Sequence, residues 1–371
     1  MSRSLAALSA LCMLAACGRL GFGNNGDDDP TDARGDVVDG TPDRPNRAFI
    51  TNDVIPADFG GLAGADAHCA MQAQAAGLQG EFIALISAST VSAKDRIAGS
   101  RGWMRTDGRL LADMPSDFFL GGNMLVPLNV DASGGGPPSY ANVWTGTNSD
   151  GTIDSANGTC GDWTSQNGST TVGFQNRGVP FTSTTGVYAC ANSAHFYCVE
   201  IGHNAPVAPS RTTDRFAFMS TYTYGDIGRA GFDAQCQADA TAAGLPGTYL
   251  AAVGTTTQTA ASRFATNTPW QRPDGTRVSE TGDAMFDGTR LIGFIDQKAD
   301  GTRLTDVTYV VSVRTGGRPE LLPLANQTCD DWTNAAGTVD VGTMQCISYS
   351  EFWTGGSISC SGMLRMLCLQ E

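Results

Sequence analysis

Two segments of the chain repeat one spacing of small and apolar residues. Ala65, Cys69, Ala73 and Ala76 lie at the spacing of one helix face, and Gly77 follows where a helix end favours glycine. The first segment is therefore predicted to begin with a short helix. The second segment predicts the equivalent helix, with a face formed by Ala230, Cys236, Ala240 and Ala243.

Short apolar runs follow these helices and predict buried strands, because they are too short for buried helices. Abundant Gly, Ser, Thr and Asn between the runs indicates a loop-rich fold dominated by strands. The predicted strands are 81–86 and 248–253, with further ones at 291–295 and 309–313.

Separate motifs recur at one offset, which establishes an internal repeat. The segment 60–69 returns at 227–236, and 75–78 returns at 242–245. Arg96, Trp103 and Arg105 likewise match residues that lie 167 positions later, namely Arg263, Trp270 and Arg272. The chain is predicted to hold two copies of one module.

Each copy carries its own set of four cysteines, and Cys346 is left over in the second copy. In an exported protein the paired cysteines are expected to form disulfides. Four cysteines allow three connectivities, and the spacing alone leaves all three open.

The N-terminal residues have the pattern of an export signal. Arg3 precedes an apolar run that ends in Leu14-Ala15-Ala16-Cys17 and is too short to span a bilayer. This ending resembles a lipobox, so 1–16 is predicted to be a signal peptide and Cys17 the lipidated, palmitate-bearing residue. Residues 17–46, rich in Asp, Gly and Asn, are predicted to be a disordered tether.

The predicted anchor makes the membrane a partner through its lipid. Gly18 rather than Asp after the lipid cysteine favours the outer membrane, by resemblance to the enterobacterial sorting rule. The periplasmic and cell-surface faces both stay open.

Composition argues against several partners and cofactors. The formal net charge is −14 and Lys94 and Lys298 are the chain's two lysines, so nucleic acid is not an expected partner. Three histidines, His68, His195 and His203, leave little material for a zinc site. We expect no metal and no cofactor.

Several motifs together are similar to the endostatin domain of collagens and to bacterial lipoprotein domains of unknown function. They are the helix motif 60–69, Ala75–Phe82, Val143-Trp144-Thr145-Gly146 and Cys160-Gly161-Asp162-Trp163-Thr164. The resemblance implies an α+β fold of two tandem, disulfide-stapled C-type-lectin-like domains with short helices and antiparallel sheets. Their bounds are 47–201 and 215–371, with a linker at 202–214.

The resemblance also implies nested disulfides within each copy. The implied pairs are Cys69–Cys198, Cys160–Cys190, Cys236–Cys368 and Cys329–Cys360. The histidines and arginine clusters on which endostatin's zinc and heparin binding depend are absent, and so are the calcium-binding tripeptides of sugar-binding lectins. The fold is carried over, and those ligands are not.

Asp162-Trp163 and Asp331-Trp332 are the candidate ligand-binding residues, one pair in each copy. The carboxylate could orient a ligand hydroxyl while the indole stacks on a sugar. Alternatively, the indole fills the core and the Asp caps a turn.

No catalytic triad is recognisable in the sequence, and the unpaired Cys346 is the one candidate nucleophile. We therefore expect a non-catalytic cell-envelope lipoprotein that acts as a binding or adhesion module for a protein or glycan. A structural envelope component is the alternative, and a redox or hydrolytic enzyme is a third possibility.

Overall fold

The computed structural model of the chain describes residues 43–136, 142–178, 187–289, 291–304, 312–344 and 346–371. The predicted signal peptide, Cys17 and most of the tether lie outside these residues. The described residues form mixed α+β structure. The helices are α1 Gly61–Ala75, α2 Ala93–Arg96, α3 Gly228–Ala242 and α4 Tyr349–Thr354.

The strands of the first copy are β1 Asn46–Ile50, β2 Ile55–Pro56, β3 Glu81–Ala84, β4 Trp103–Arg105, β5 Leu110–Ala112, β6 Asn142–Trp144, β7 Ser169–Phe174, β8 Val187–Ala189, β9 Ser193–Ala194 and β10 Tyr197–Ile201. Those of the second copy are β11 Arg215–Met219, β12 Tyr249–Ala251, β13 Trp270–Gln271, β14 Ser312–Arg314, β15 Thr338–Thr343, β16 Gly356–Ser359 and β17 Arg365–Gln370. Short 3-10 helices lie at Pro115–Phe118, Ala261–Arg263, Asp283–Met285 and Ala325–Gln327.

The two predicted helices are present and end in the same way. Gly77 adopts a φ of +74°, and the backbone N–H of Leu78 donates to the Ala73 carbonyl at 2.9 Å. Gly244 does the same with a φ of +68°. A left-handed glycine here closes the last helical turn and redirects the chain into the next strand.

The main sheets of the two copies share their central pairings. In the first copy the described strands run in the order β3-β10-β1-β4-β5, and in the second β13-β11-β17-β14-β15-β16, with β12 also paired to β17. Phe49 lies opposite Cys198 on antiparallel strands, as Phe218 lies opposite Cys368. The repeat seen in the sequence is therefore a repeat of sheet register as well.

Four disulfides staple these elements, in the pairs that the resemblance implies. Cys69–Cys198 joins α1 to β10, and Cys236–Cys368 joins α3 to β17. Cys160–Cys190 and Cys329–Cys360 close shorter loops of 30 and 31 positions. Bridges of these lengths stabilise a fold by about 3–5 kcal/mol each in the chain-entropy model.

Two predicted strands differ in the structure. Residues 291–295 are irregular and, apart from the half-buried Ile292, buried. The Leu291 N–H donates to the Ile347 carbonyl, and the Ile292 N–H donates to the Val278 carbonyl. Their apolar character reflects burial among loops, not pairing in a sheet, so the strand prediction at 291–295 is wrong. Of the run 309–313, residues 309–311 lie outside the described residues, and β14 begins at Ser312.

The described residues form three apolar clusters, one in each copy and one shared by both. The first-copy cluster lies under α1, the second-copy cluster under α3. The shared cluster brings together Leu111, Met124 and Leu125 of the first copy with Leu291 and Phe294 of the second. Residues 43–371 accordingly form one compact unit.

Residues just before the predicted bound at 47 also pack against the first copy. Asn46 is fully buried at the start of β1, and the Arg44 guanidinium donates to the Glu200 carboxylate at 2.8 Å. Arg47 donates to the same carboxylate at 3.1 Å, and the Glu200 side chain is completely buried. The arginines thus tie the last residues of the predicted tether to β10, and they lower the pKa of Glu200 against the opposing effect of burial.

Candidate functional site

The Asp-Trp motif of each copy forms a turn of left-handed backbone. Cys160, Gly161, Asp162 and Trp163 have φ values of +53°, +61°, +52° and +65°. The equivalent residues Cys329–Trp332 lie between +53° and +69°. Residues other than glycine avoid this region at a cost of about 1–2 kcal/mol each, so the surrounding structure must hold both turns in place.

The indoles are the first support of these turns. Trp163 and Trp332 are both fully buried, and their Nε1–H groups donate to the Ser87 and Gly254 carbonyls at 2.8 and 2.7 Å. A side chain at Gly146 would meet the Trp163 ring at 2.8 Å, so glycine is required beside it. Neither ring has a free face on which a sugar could stack.

The aspartates are the second support. The Ser89 N–H donates to Asp162 Oδ1 at 2.7 Å, and the Ser89 hydroxyl donates to Oδ2 at 2.5 Å. The N–H and hydroxyl of Thr256 bind Asp331 in the same way, both at 2.7 Å. The Ser89 hydroxyl is the main cause of a lowered pKa at Asp162, followed by the Ser89 N–H.

In each copy the structure places the candidate Asp and Trp side by side, residues 162–163 in the first and 331–332 in the second. Both pairs hold the fold together. Both carboxylates are occupied by a neighbouring loop and both indoles by the core. The indoles fill the core, as in the alternative interpretation. The aspartates differ from it, because each carboxylate accepts from a distant loop, Asp162 from Ser89 and Asp331 from Thr256, and does not cap its own turn. We call each one an aspartate latch, defined by Asp162 with Ser89 or by Asp331 with Thr256.

Cys346 is the one free cysteine among the described residues, and it is buried. Its thiol donates to the Glu351 carboxylate at 3.0 Å. Burial, reinforced by Glu351, raises the pKa of the thiol to about 12. Because the thiolate is the reactive form, this cysteine is a poor nucleophile near neutral pH.

The histidines serve separate structural contacts. His195 Nδ1 lies 2.7 Å from the Thr51 carbonyl oxygen, and His68 Nε2 lies 2.9 Å from the Asp53 carboxylate. Across the part of the chain that the structure describes, no group of three or more His, Cys, Asp or Glu side chains is placed to hold a metal ion.

An open groove in the second copy is the strongest candidate for a ligand site, and the sequence did not single it out. Its volume is about 360 Å³. Leu321, Leu322 and Leu324 at its edge are 54%, 54% and 64% exposed. We call it the leucine groove; it is lined by Gly316, Gly317, Arg318, Leu321, Leu322, Pro323, Leu324, Gln327, Asp340 and Thr354.

Asp340 supplies a carboxylate to the wall of the leucine groove. It projects from β15, and its Oδ2 accepts from the Gln327 side chain at 2.8 Å. Burial raises the pKa of Asp340, an effect that the Gln327 hydrogen bond only partly offsets. The groove thus combines exposed apolar side chains with an incompletely solvated carboxylate.

One signal in the sequence could have located this groove. Between the matched residues Gly146 and Thr159 the first copy is rich in Asn, Asp, Ser and Gly, as expected of a tight polar loop. The matching segment of the second copy, Gly316–Thr328, instead contains Leu321-Leu322-Pro323-Leu324. A polar loop that becomes apolar in one copy of a repeat marks a surface with its own role.

No protein-family model matches the chain, and a search of curated proteins finds no matching relative.

Proposed function

We propose that this chain is a non-catalytic, lipid-anchored binding protein of the bacterial cell envelope, with a protein or glycan as its ligand. The leucine groove is the observation that carries this proposal. Contiguous exposed apolar side chains are costly on a soluble surface and commonly mark sites of interaction. Three leucines within four positions, beside a concave wall with a carboxylate, have that character.

We further propose that each copy is a C-type-lectin-like module of the endostatin-like kind. The shared register of the two sheets and the nested bridges Cys69–Cys198 and Cys160–Cys190 support this assignment. Folds of this kind carry specificity on variable loops over a constant scaffold. The leucine-rich loop would be such an addition to the second module.

The anchor in this proposal rests on the lipobox-like sequence ending at Cys17. An acylated cysteine with several chains gives stable attachment. By resemblance to the enterobacterial sorting rule, Gly18 favours an outer-membrane location. No helix among the described residues has the length and apolar character needed to cross a bilayer. The acidic segment 17–46 would then act as a spacer between the membrane and the modules.

The alternatives make different use of the same features. A structural envelope component would also employ an exposed apolar groove, but with a permanent neighbour instead of an exchanging ligand. A redox or hydrolytic enzyme that used Cys346 as its nucleophile would need an accessible thiolate, and the raised pKa and burial of Cys346 oppose that use.

The test is binding of the full chain, purified in mild detergent, to arrays of glycans and envelope proteins, with and without calcium. We expect saturable binding to at least one protein or glycan. Weaker binding of that ligand by a folded Leu322→Glu variant would locate its site at the leucine groove. Silent arrays combined with stable neighbours captured by crosslinking in intact cells would replace this proposal with the structural one.

A further inference from the structure

The two copies differ in the residue at one strand position beside the leucine groove, which is Thr171 in the first copy and Asp340 in the second. In the first copy Asp154 is 4% exposed, and its carboxylate accepts hydrogen bonds from Asn157, Ala156 and the Thr171 hydroxyl. Thr171 on β7 occupies the position that Asp340 holds on β15, since Gly146 and Gly316 donate to the respective backbone carbonyls. The first copy therefore closes this position with its own polar loop.

The second copy leaves the carboxylate at this position open to a partner. Of the described residues, Gln327 alone bonds the Asp340 side chain, whereas the Asp154 carboxylate accepts four hydrogen bonds. The loop that could have supplied further donors carries leucines instead. A carboxylate held partly out of water with one neutral donor has capacity for a charged one.

The side chains that line the leucine groove limit the kind of ligand group that can bind there. The described residues that line it include no aromatic ring, and so supply no stacking surface of the kind on which sugars commonly rest. Arg318 lies at the rim with its guanidinium 3.7 Å from Glu320, so its charge is already directed towards another carboxylate. The groove then offers the single carboxylate of Asp340, apolar edges and a volume of about 360 Å³, which is enough for a long side chain and part of its neighbours.

We infer that the leucine groove receives a lysine or arginine side chain of a protein partner, with Asp340 as its counter-ion and the leucines packed on apolar residues beside it. The charge of the chain as a whole, formally −14, would also favour the approach of a basic segment. This inference rests on the proposed binding function and narrows its ligand to a basic, apolar stretch of protein.

The experiment uses an immobilised positional library of acetylated, amidated hexapeptides, probed with the full chain in mild detergent. We expect selection of Lys or Arg at one position beside Leu, Ile or Met. The best peptide should bind Asp340→Asn at least about tenfold more weakly than the unaltered chain. Asp226→Asn removes an equal charge at an exposed site, and it should change affinity by less than about twofold.

A double-mutant cycle separates a direct contact from a change in folding. Norleucine in place of the peptide's cation should weaken binding to the unaltered chain, and should have little further effect on Asp340→Asn. Additive losses, or a library without preference for a cation, would overturn the inference. If the glycan and protein arrays still identified a ligand, the proposed binding function would stand and only this inference would be wrong. Absence of binding on the arrays and in the library would contradict both proposals.

Discussion

At the scale of single residues, the left-handed turns show how the same backbone is held by different sequences. The first copy places Gly161 at a φ of +61°, and the second places Asp330 at +55°. Glycine enters this region freely, whereas a Cβ atom there meets the following carbonyl. The second copy therefore bears a strain at Asp330 that the first avoids.

Exchanging these two residues between the copies tests the strain. Asp330→Gly should raise the free energy of unfolding by about 1 kcal/mol, somewhat less than the full left-handed cost because glycine also loosens the unfolded chain. Gly161→Asp should lower it by a similar amount, since a Cβ at residue 161 meets nothing closer than 3.4 Å and the penalty is conformational. Urea denaturation measures both. A loss of stability in Asp330→Gly would mean that the side chain makes a necessary contact.

Residue-level sequence reasoning offered both roles for the Asp-Trp motif but could not choose between them. A motif of Asp beside Trp is compatible with a sugar site and with a buried turn, because both use the same hydrogen-bonding and apolar groups. The choice depends on Ser89, which lies 73 positions away from Asp162 in the chain and completes the latch. Such a partner cannot be identified from local spacing.

At the scale of elements, the aspartate latch joins a turn near β7 to the loop that follows β3. Because hydrogen bonds from Ser89 lower the pKa of Asp162 below its ordinary value of 3.8, the folded state favours the charged carboxylate. Its contribution to stability is present above the ordinary pKa and is lost as the pH falls through the lowered one.

Asp162→Ala should accordingly lower the free energy of unfolding by about 1 kcal/mol at pH 7, a modest value because the carboxylate is partly exposed to solvent. The difference from the unaltered chain should shrink as the pH falls below 3.8. Urea denaturation at several pH values from 7 to 2 measures this, with the exposed Asp226→Ala as the control. An equal loss across the whole range would assign the effect to packing.

The elements that the sequence predicted best are those with local and repeated signals. Helical spacing followed by glycine predicted α1 and α3, and the recurring cysteines, with the resemblance, predicted which elements are stapled. The strand prediction at 291–295 was wrong because an apolar run indicates burial but does not indicate which backbone groups will be its hydrogen-bond partners. The leucine groove was missed because its meaning depends on comparing the two copies across a loop.

At the scale of the whole molecule, the two copies are joined by more than their linker. Phe294 of the second copy is fully buried and lies in the apolar cluster shared with the first. The Ile347 N–H donates to the Asn176 carbonyl at 3.3 Å, and Arg177 pairs with Glu351 at 3.3 Å. The repeat predicted two modules, but periodicity cannot show that they share a core.

Cutting the chain between the copies tests whether this shared core holds them together. A protease site inserted after the exposed Ala208 should, once cleaved, leave two fragments that co-elute in size-exclusion chromatography, because separation would expose the shared cluster to water. Leu125→Asp in the same chain places a charge within that cluster and should release the fragments or make them aggregate after cleavage. If the unaltered fragments separated into two stable, monodisperse species, the copies would be independent domains and the cluster between them a weak contact.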